Sequence, residues 1–356
     1  MMKTSWGVVF RLIALVIVLS QQTIAQVTSS CPETVSSLRD VSVQLTLMNG
    51  QTVSRQGEVV ELKVRYSSRS PGKYTLSINR IDRSGRIDRG GRRDGVDLLC
   101  LQPDIGTDPL DDYFHSLPAR YMLAGAVPYR QIGAGPIKTD LELNEWWSLP
   151  PGQYRLSIQS KRVNLEEGGA PVPVQSNWIT FQIVNAEPAW QSSAFTGAIS
   201  TLDSPTATSA EKEQAAKALR FLGSEDASRE LVRRFWRSSP QDLGWKDFKF
   251  GLYGTPFRRT AIQEMKAILQ SSRDATKDWF IDVMVNLELL SDPRFRKLRY
   301  GTQLADSEGN PGSSYEEEYE RRVSAYTSTC ILCPKVHKDD AIHLPEPPWP
   351  SWPPTR

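Results

Sequence analysis

Histidine is scarce in this 356-residue chain: there are three, His115, His337 and His343. His115 stands alone, and the other two lie near the C-terminal end. No HExxH, GxSxG or Walker-type loop occurs, so the linear signatures of zinc peptidases, α/β-hydrolases and P-loop nucleotidases are missing. Gly133-Ala134-Gly135 is a lone glycine pair and makes no phosphate cradle. A surplus of charge is missing as well. Lys and Arg total 43 against 41 Asp and Glu, and the first 25 residues hold Lys3, Arg11 and no acid. The remainder is neutral, and charge also balances on either side of Trp190. That excludes the basic footprint of a nucleic-acid binder. A pair of catalytic carboxylates leaves no linear signature, so these absences do not exclude an enzyme. They tilt the reading towards a non-catalytic protein with no cofactor.

What is present is an ordinary globular composition, 39% hydrophobic and 24% charged. At roughly 150 residues per domain, the length predicts two domains. Residues 1–25 read as a secretory signal: Lys3 and Arg11, the apolar run Leu12–Leu19, then small residues around Ala25. Arg11 leaves the run shorter than the ~20 apolar residues that span a bilayer. Cleavage is expected near Ala25–Gln26. Acylation at Cys31 is disfavoured, because no aliphatic residue precedes it where lipoprotein processing needs one. No later segment is long and apolar enough to span a bilayer. The expected location is therefore periplasmic or secreted.

Four cysteines, Cys31, Cys100, Cys330 and Cys333, form an even set in an exported chain, which favours disulfides. The expected pairs are Cys31–Cys100 and Cys330–Cys333. The first would close a loop of about 70 residues, for which chain entropy gives roughly 4 kcal/mol.

The first half alternates. Val41, Val43, Leu45 and Leu47, then Val60, Leu62, Val64 and Tyr66, recur at every second position, with Asn49-Gly50 as a turn and Gly57-Glu58 opening the second run. Ile179, Phe181 and Ile183 make a final strand. Pro71-Gly72-Lys73-Tyr74-Thr75-Leu76 echoes Pro151-Gly152-Gln153-Tyr154-Arg155-Leu156. The second copy resembles the tyrosine corner of immunoglobulin-like sandwiches, which gives Gly152 and Tyr154 a structural role. The echo allows two small domains, but one β-sandwich over 38–187 is preferred, with a short leading segment at 26–37. The stretch from about 80 to 148 is then a long insertion between its strands.

That insertion holds the least ordinary pattern. Arg83, Arg86, Arg89 and Arg92 recur among aspartates and glycines. Guanidinium groups grip carboxylates and phosphates, so this is a candidate anion arm; a solvated hairpin neutralised by its own acids is preferred. Asp104, Asp108, Asp111 and Asp112 could hold calcium. Their spacing is not that of an EF-hand, and a turn followed by a helix cap fits better. Trp146-Trp147 and Trp178 could stack on sugars, but aromatics at this place more often pack.

After Glu187-Pro188 the period changes to that of helices. Ala215, Ala218, Leu219 and Leu222 lead to Gly223-Ser224, which stops one helix and caps the next, carrying Ala227, Leu231, Val232 and Phe235. Ile262 to Leu269 and Phe280 to Leu290 form a second pair of stripes. Thr208 with Glu211 and Ser314 with Glu317 are capping boxes, and Asp292-Pro293 reads as a helix start. The stretch Ala215–Val232 resembles a HEAT-type repeat, so a helical array over 188–328 is expected, with only two units readable. Taken whole, signal, corner motif, Ser176-Asn177 before the last strand and HEAT-like helices resemble a group of uncharacterised bacterial exported proteins. That resemblance implies the architecture, an immunoglobulin-like antiparallel β-sandwich followed by a HEAT-like array, and export. It brings no activity and no catalytic residues.

The tail, 329–356, carries Cys330 and Cys333 followed by His337 and His343, a possible zinc set. A redox CxxC would need a strand–helix setting that is not evident here, and a local disulfide is preferred. Six of the ten residues from Pro345 to Pro354 are proline, which makes an extended chain without a core. The function expected from all this is macromolecular binding or an envelope scaffold, with a protein or envelope polymer as partner. The alternative is an envelope enzyme or carbohydrate-binding protein using the insertion. A pocket gathering Asp104, Asp108, Glu145 and Trp146 would favour that alternative.

Overall fold

The computed structural model describes residues 40–77, 97–116, 129–133, 135–165, 169–271, 277–295, 303–305 and 311–329. Val41, Val43 and Leu45 are buried and Ser42 and Gln44 exposed on β1 (Val41–Leu47). The Asn49-Gly50 turn follows, both residues with positive φ, a conformation these two types tolerate. After β2 (Val53–Arg55), β3 (Glu61–Ser68) buries Leu62, Val64, Tyr66 and Ser68. Alternate residues share a face, so these strands have one face to bury.

Further strands are β4 (Thr75–Ser77), β5 (Asp97–Gln102), β6 (Tyr129–Gln131), β7 (Ile137–Glu142), β8 (Gly152–Asn164), β9 (Pro171–Gln175) and β10 (Ile179–Val184). One sheet is antiparallel, in the order β1-β3-β7. The other runs β2-β10-β8-β4-β6, with β5 and β9 also on β8; its β2–β10 pair is parallel. Both sheets bury their inner faces in one core, and the Tyr66 hydroxyl reaches Ser160 Oγ at 3.2 Å.

The stretch from about 80 to 148 is therefore more than an insertion. It supplies β5, β6 and β7, all integral to the two sheets. Periodicity hides β5 because Leu99, Cys100 and Leu101 are buried in succession; a strand covered on both faces loses its alternation.

Gly152 opens β8, and Tyr154 Oη donates to the Pro150 carbonyl at 2.6 Å while its ring stacks on Phe181. Tyr154→Phe keeps the stack and leaves that carbonyl without its donor. The expected loss is about 1–2 kcal/mol, read as a lower urea midpoint at unchanged slope. An unshifted midpoint would show that the hydroxyl contributes nothing.

A short helix, α1 (Asp111–His115), lies between β5 and β6. The helical region begins at Pro188, in the first turn of α2 (Pro188–Asp203). It continues with α3 (Ser209–Phe221), α4 (Glu225–Arg237), α5 (Trp245–Gly254), α6 (Arg258–Ser271), α7 (Asp278–Ser291) and α8 (Tyr315–Thr329). The caps fall where the sequence puts them. Thr208 and Glu211 close a reciprocal box, Ser224 Oγ accepts from the Ala227 amide behind a left-handed Gly223, and Ser314 and Glu317 cap each other. Asp292 corrects the expectation: it closes α7, and its carboxylate accepts from the Arg294 amide and guanidinium. A two-stranded hairpin, β11 (Gln303–Ala305) with β12 (Pro311–Ser314), precedes α8, so the region is not wholly helical.

Two faces of α7 are buried. Phe280, Val283, Met284, Leu287 and Leu290 enter the main helical core. Ile281, Val285 and Leu289 form a second cluster with Phe295 and Tyr315, against which Tyr319, Val323 and Tyr326 of α8 pack. A helix apolar all round is one with neighbours on both sides.

Polar bonds fasten α8. Tyr319 Oη donates to Asp282 at 2.6 Å, Tyr315 Oη to Asn286 at 2.8 Å and Tyr326 Oη to Glu288 at 2.7 Å. Burial pushes the Asp282 carboxyl up, partly offset by the Tyr319 bond. On α8 itself, hydrogen bonds from Arg321 and then Arg322 hold Glu318 at about 2, against an ordinary 4.5. A depressed carboxyl stabilises above its unfolded value and loses that contribution as pH falls towards 2. α8 should therefore loosen by about 0.5 kcal/mol as the medium is acidified through that window. Glu318→Gln should remove this part of the pH dependence, followed by amide exchange along α8. Identical acid profiles for the two proteins would refute it.

Candidate functional site

Among the described residues, polar chemistry gathers at a buried seam between the β region and the helices and at a groove on the outer face of the β1-β3-β7 sheet.

At the seam, Arg220 of α3 is 2% exposed in its side chain. Its Nη1 donates to Glu145 at 3.2 Å and to Asp247 of α5 at 3.0 Å, and its guanidinium lies over the Phe221 and Phe250 rings. One turn earlier, Lys217 donates to Glu142 at the end of β7. Burial pushes the Glu142 carboxyl up against the pull of that ammonium. Gly57 sits where a Cβ would meet the Phe221 and Leu222 carbonyls at 3.0 Å, with a positive φ. Arg55 lies over the Trp190 ring, 5.6 Å from its centroid.

The loop around α1 completes the seam. Tyr113 packs edge-on to Phe250 and Tyr253 at 4.9 and 5.1 Å. Arg258 of α6 donates to Asp112 and to the Tyr253 carbonyl. Two of the four calcium candidates thus have structural tasks: Asp112 pairs with Arg258, and Asp108 Oδ1 accepts from the Leu110 amide at 2.9 Å. Asp104 precedes them and Asp111 opens α1, and each has its own partner. Among the described residues, no group of three or more His, Cys, Asp or Glu side chains is placed to hold a metal ion.

Two of the residues whose convergence would have favoured an enzyme or sugar site, Glu145 and Trp146, are buried. Glu145 is buried against Arg220, and Trp146 and Trp147 are 9% and 2% exposed inside the β core. Trp178 lies under Arg155. Cys100 is fully buried and disulfide-bonded, with its partner outside the described residues. The signal 1–25, the leading segment with Cys31, the arginines 83, 86, 89 and 92, and Cys330, Cys333, His337 and His343 also lie outside them. No helix among the described residues is long and apolar enough to cross a membrane.

The groove was not foreseen. It has a volume of about 670 Å³ and is lined by Ser42, Val43 and Gln44 of β1, Arg65 and Ser67 of β3, Pro136 and Asn177. The ladder sets its chemistry. Arg65 lies opposite Gln44 on one side and Lys138 of β7 on the other, and Ser67 lies opposite Ser42. Two cations face each other across adjacent strands, an arrangement that is unfavourable by itself. Asp140, the nearest acid along β7, is 4.0 Å from Lys63 instead. Among the described residues neither Arg65 nor Lys138 has an ion pair, and Arg65 Nε is buried without an acceptor. Asn177 forms the wall: its amide accepts from Leu45 N at 2.9 Å and donates to Leu45 O at 3.0 Å, as a neighbouring strand would. No local signal marks this site, because β1, β3 and β7 meet only through long-range pairing.

Neither a protein-family model nor a curated protein sequence matches the chain. The class the structure defines is a β region of two sheets joined to a helical region, with charged groups buried at the joint.

Proposed function

We propose that this is an exported, non-catalytic binding or scaffold protein, an immunoglobulin-like β-sandwich carrying a HEAT-like helical array, acting on a protein or polymer of the cell envelope. The observation that carries the reading is Glu145. The acid best placed to serve a sandwich-edge active site is spent in a buried pair with Arg220, a use that fixes the two regions together and leaves it unable to act on a substrate. The Tyr154–Pro150 bond is the contact a tyrosine corner requires. The bonded state of buried Cys100 suits an oxidising compartment, with Cys31 as its partner and Cys330–Cys333 as a second pair.

The test is affinity capture from envelope extract with the whole protein immobilised, competed with free protein. A competed protein or polymer supports the reading. Recovery of none, together with binding or hydrolysis of envelope glycans, overturns it in favour of the enzyme or sugar-binding alternative. Mass spectrometry of the exported protein should find Gln26 at its N-terminus and a gain of two hydrogens per disulfide on reduction.

A further inference from the structure

We propose that the groove on the outer face of the β1-β3-β7 sheet binds a phosphoryl group, with Arg65 as its anchor and Lys138 as a second cation. The proposal rests on the binding-protein reading above and names the chemistry of its ligand. Its footing is the juxtaposition of Arg65 and Lys138 across the ladder without an intervening acid, beside a groove of about 670 Å³. Like charges held opposite each other repel, and an anion between them turns that repulsion into two attractions.

The donors favour phosphate over carboxylate. A guanidinium offers a planar fork of N–H groups that matches either anion. Around it stand the Ser42 and Ser67 hydroxyls and the Gln44 amide, none engaged by another described side chain. A carboxylate has two oxygens in one plane and would use the fork alone. A tetrahedral phosphoryl group has three or four oxygens, enough for the fork, the hydroxyls and the ammonium of Lys138 together. The Asn177 amide is committed to Leu45, so it shapes the wall and leaves recognition to the others.

The experiment follows amide chemical shifts of the whole protein titrated separately with inorganic phosphate, glycerol phosphate and acetate. Both phosphates should shift Ser42, Gln44, Arg65 and Ser67, and acetate should bind far more weakly. Tighter binding of the ester than of free phosphate would point to a phosphorylated polymer or lipid headgroup as the natural source; the reverse order would point to the free ion. Arg65→Gln should lose about tenfold or more in affinity, Lys138→Gln less, and Lys161→Gln on exposed β8 surface nothing. Arg65→Lys, which keeps the charge and loses the fork, should fall between. The proposal is overturned if Arg65→Gln binds like the wild type, if Lys161→Gln loses as much, if acetate competes equally, or if no shift maps to the groove. Envelope capture by Arg65→Gln separates the two claims. A partner still captured by a protein that never bound phosphate defeats the phosphoryl site and spares the binding reading; no partner for the wild type defeats the reading itself.

Discussion

Arg220→Met should destabilise the protein by about 3–5 kcal/mol, the cost of leaving buried carboxylates without their counter-charge. Glu145 and Asp247 both accept from this guanidinium. Methionine keeps much of the aliphatic stem, so the loss reports mainly on the charged group, its contacts with the Phe221 and Phe250 rings included. Because the three partners come from the segment after β7, from α3 and from α5, the effect should be on coupling as well as on stability. Calorimetry should show the wild type unfolding with its two regions together and the variant in two separated transitions. The triple change Arg220→Met, Glu145→Gln, Asp247→Asn should regain most of the loss, since it neutralises the Arg220 cluster and leaves no stranded charge there. If Arg220→Met alone is as stable as the triple variant, the buried pair does not hold the regions together.

Leu289→Ala should cost about 2–4 kcal/mol and should do so locally. Leu289 is fully buried in the cluster that α7 shares with Phe295 and α8. The main helical core lies on the other side of α7 and keeps Phe280, Val283 and Leu287. Amide exchange should therefore accelerate along 315–329 well before it does in α3 or α4. Uniform acceleration through all the helices would mean that α8 is not a separable layer.

The elements set by neighbours in sequence were readable. Every-second-residue burial on β1 and β3, the boxes at Thr208 and Ser314, the stop at Gly223 and the change of period at Pro188 all depend on contacts within a few residues. What escaped depends on distant partners. α5 reads Trp-Lys-Asp-Phe-Lys-Phe-Gly-Leu-Tyr-Gly, aromatic and glycine-bearing, with poor intrinsic helix preference. It is a helix because Phe248, Phe250, Leu252 and Tyr253 are buried, and Gly251 is there because a Cβ would meet Leu231 at 2.8 Å. Asp112 looked like a candidate ligand because Arg258, 146 residues away, is invisible in a local window. The groove escaped for the same reason: Arg65 and Lys138 are ordinary surface cations until β3 and β7 are paired. The reverse error came from treating the segment between the echoes as inserted, when it supplies three strands and the loop that meets the helices.

A strand at the margin of a sheet ordinarily displays unsatisfied amides and carbonyls to which another chain can add. On β1 the Leu45 pair is already occupied by Asn177, and Val43 bridges to Ser176 beside it. That margin has thus been sealed by a side chain instead of a further strand. Two molecules meeting there would find the Leu45 amide and carbonyl already taken, so templated growth through that pair is blocked.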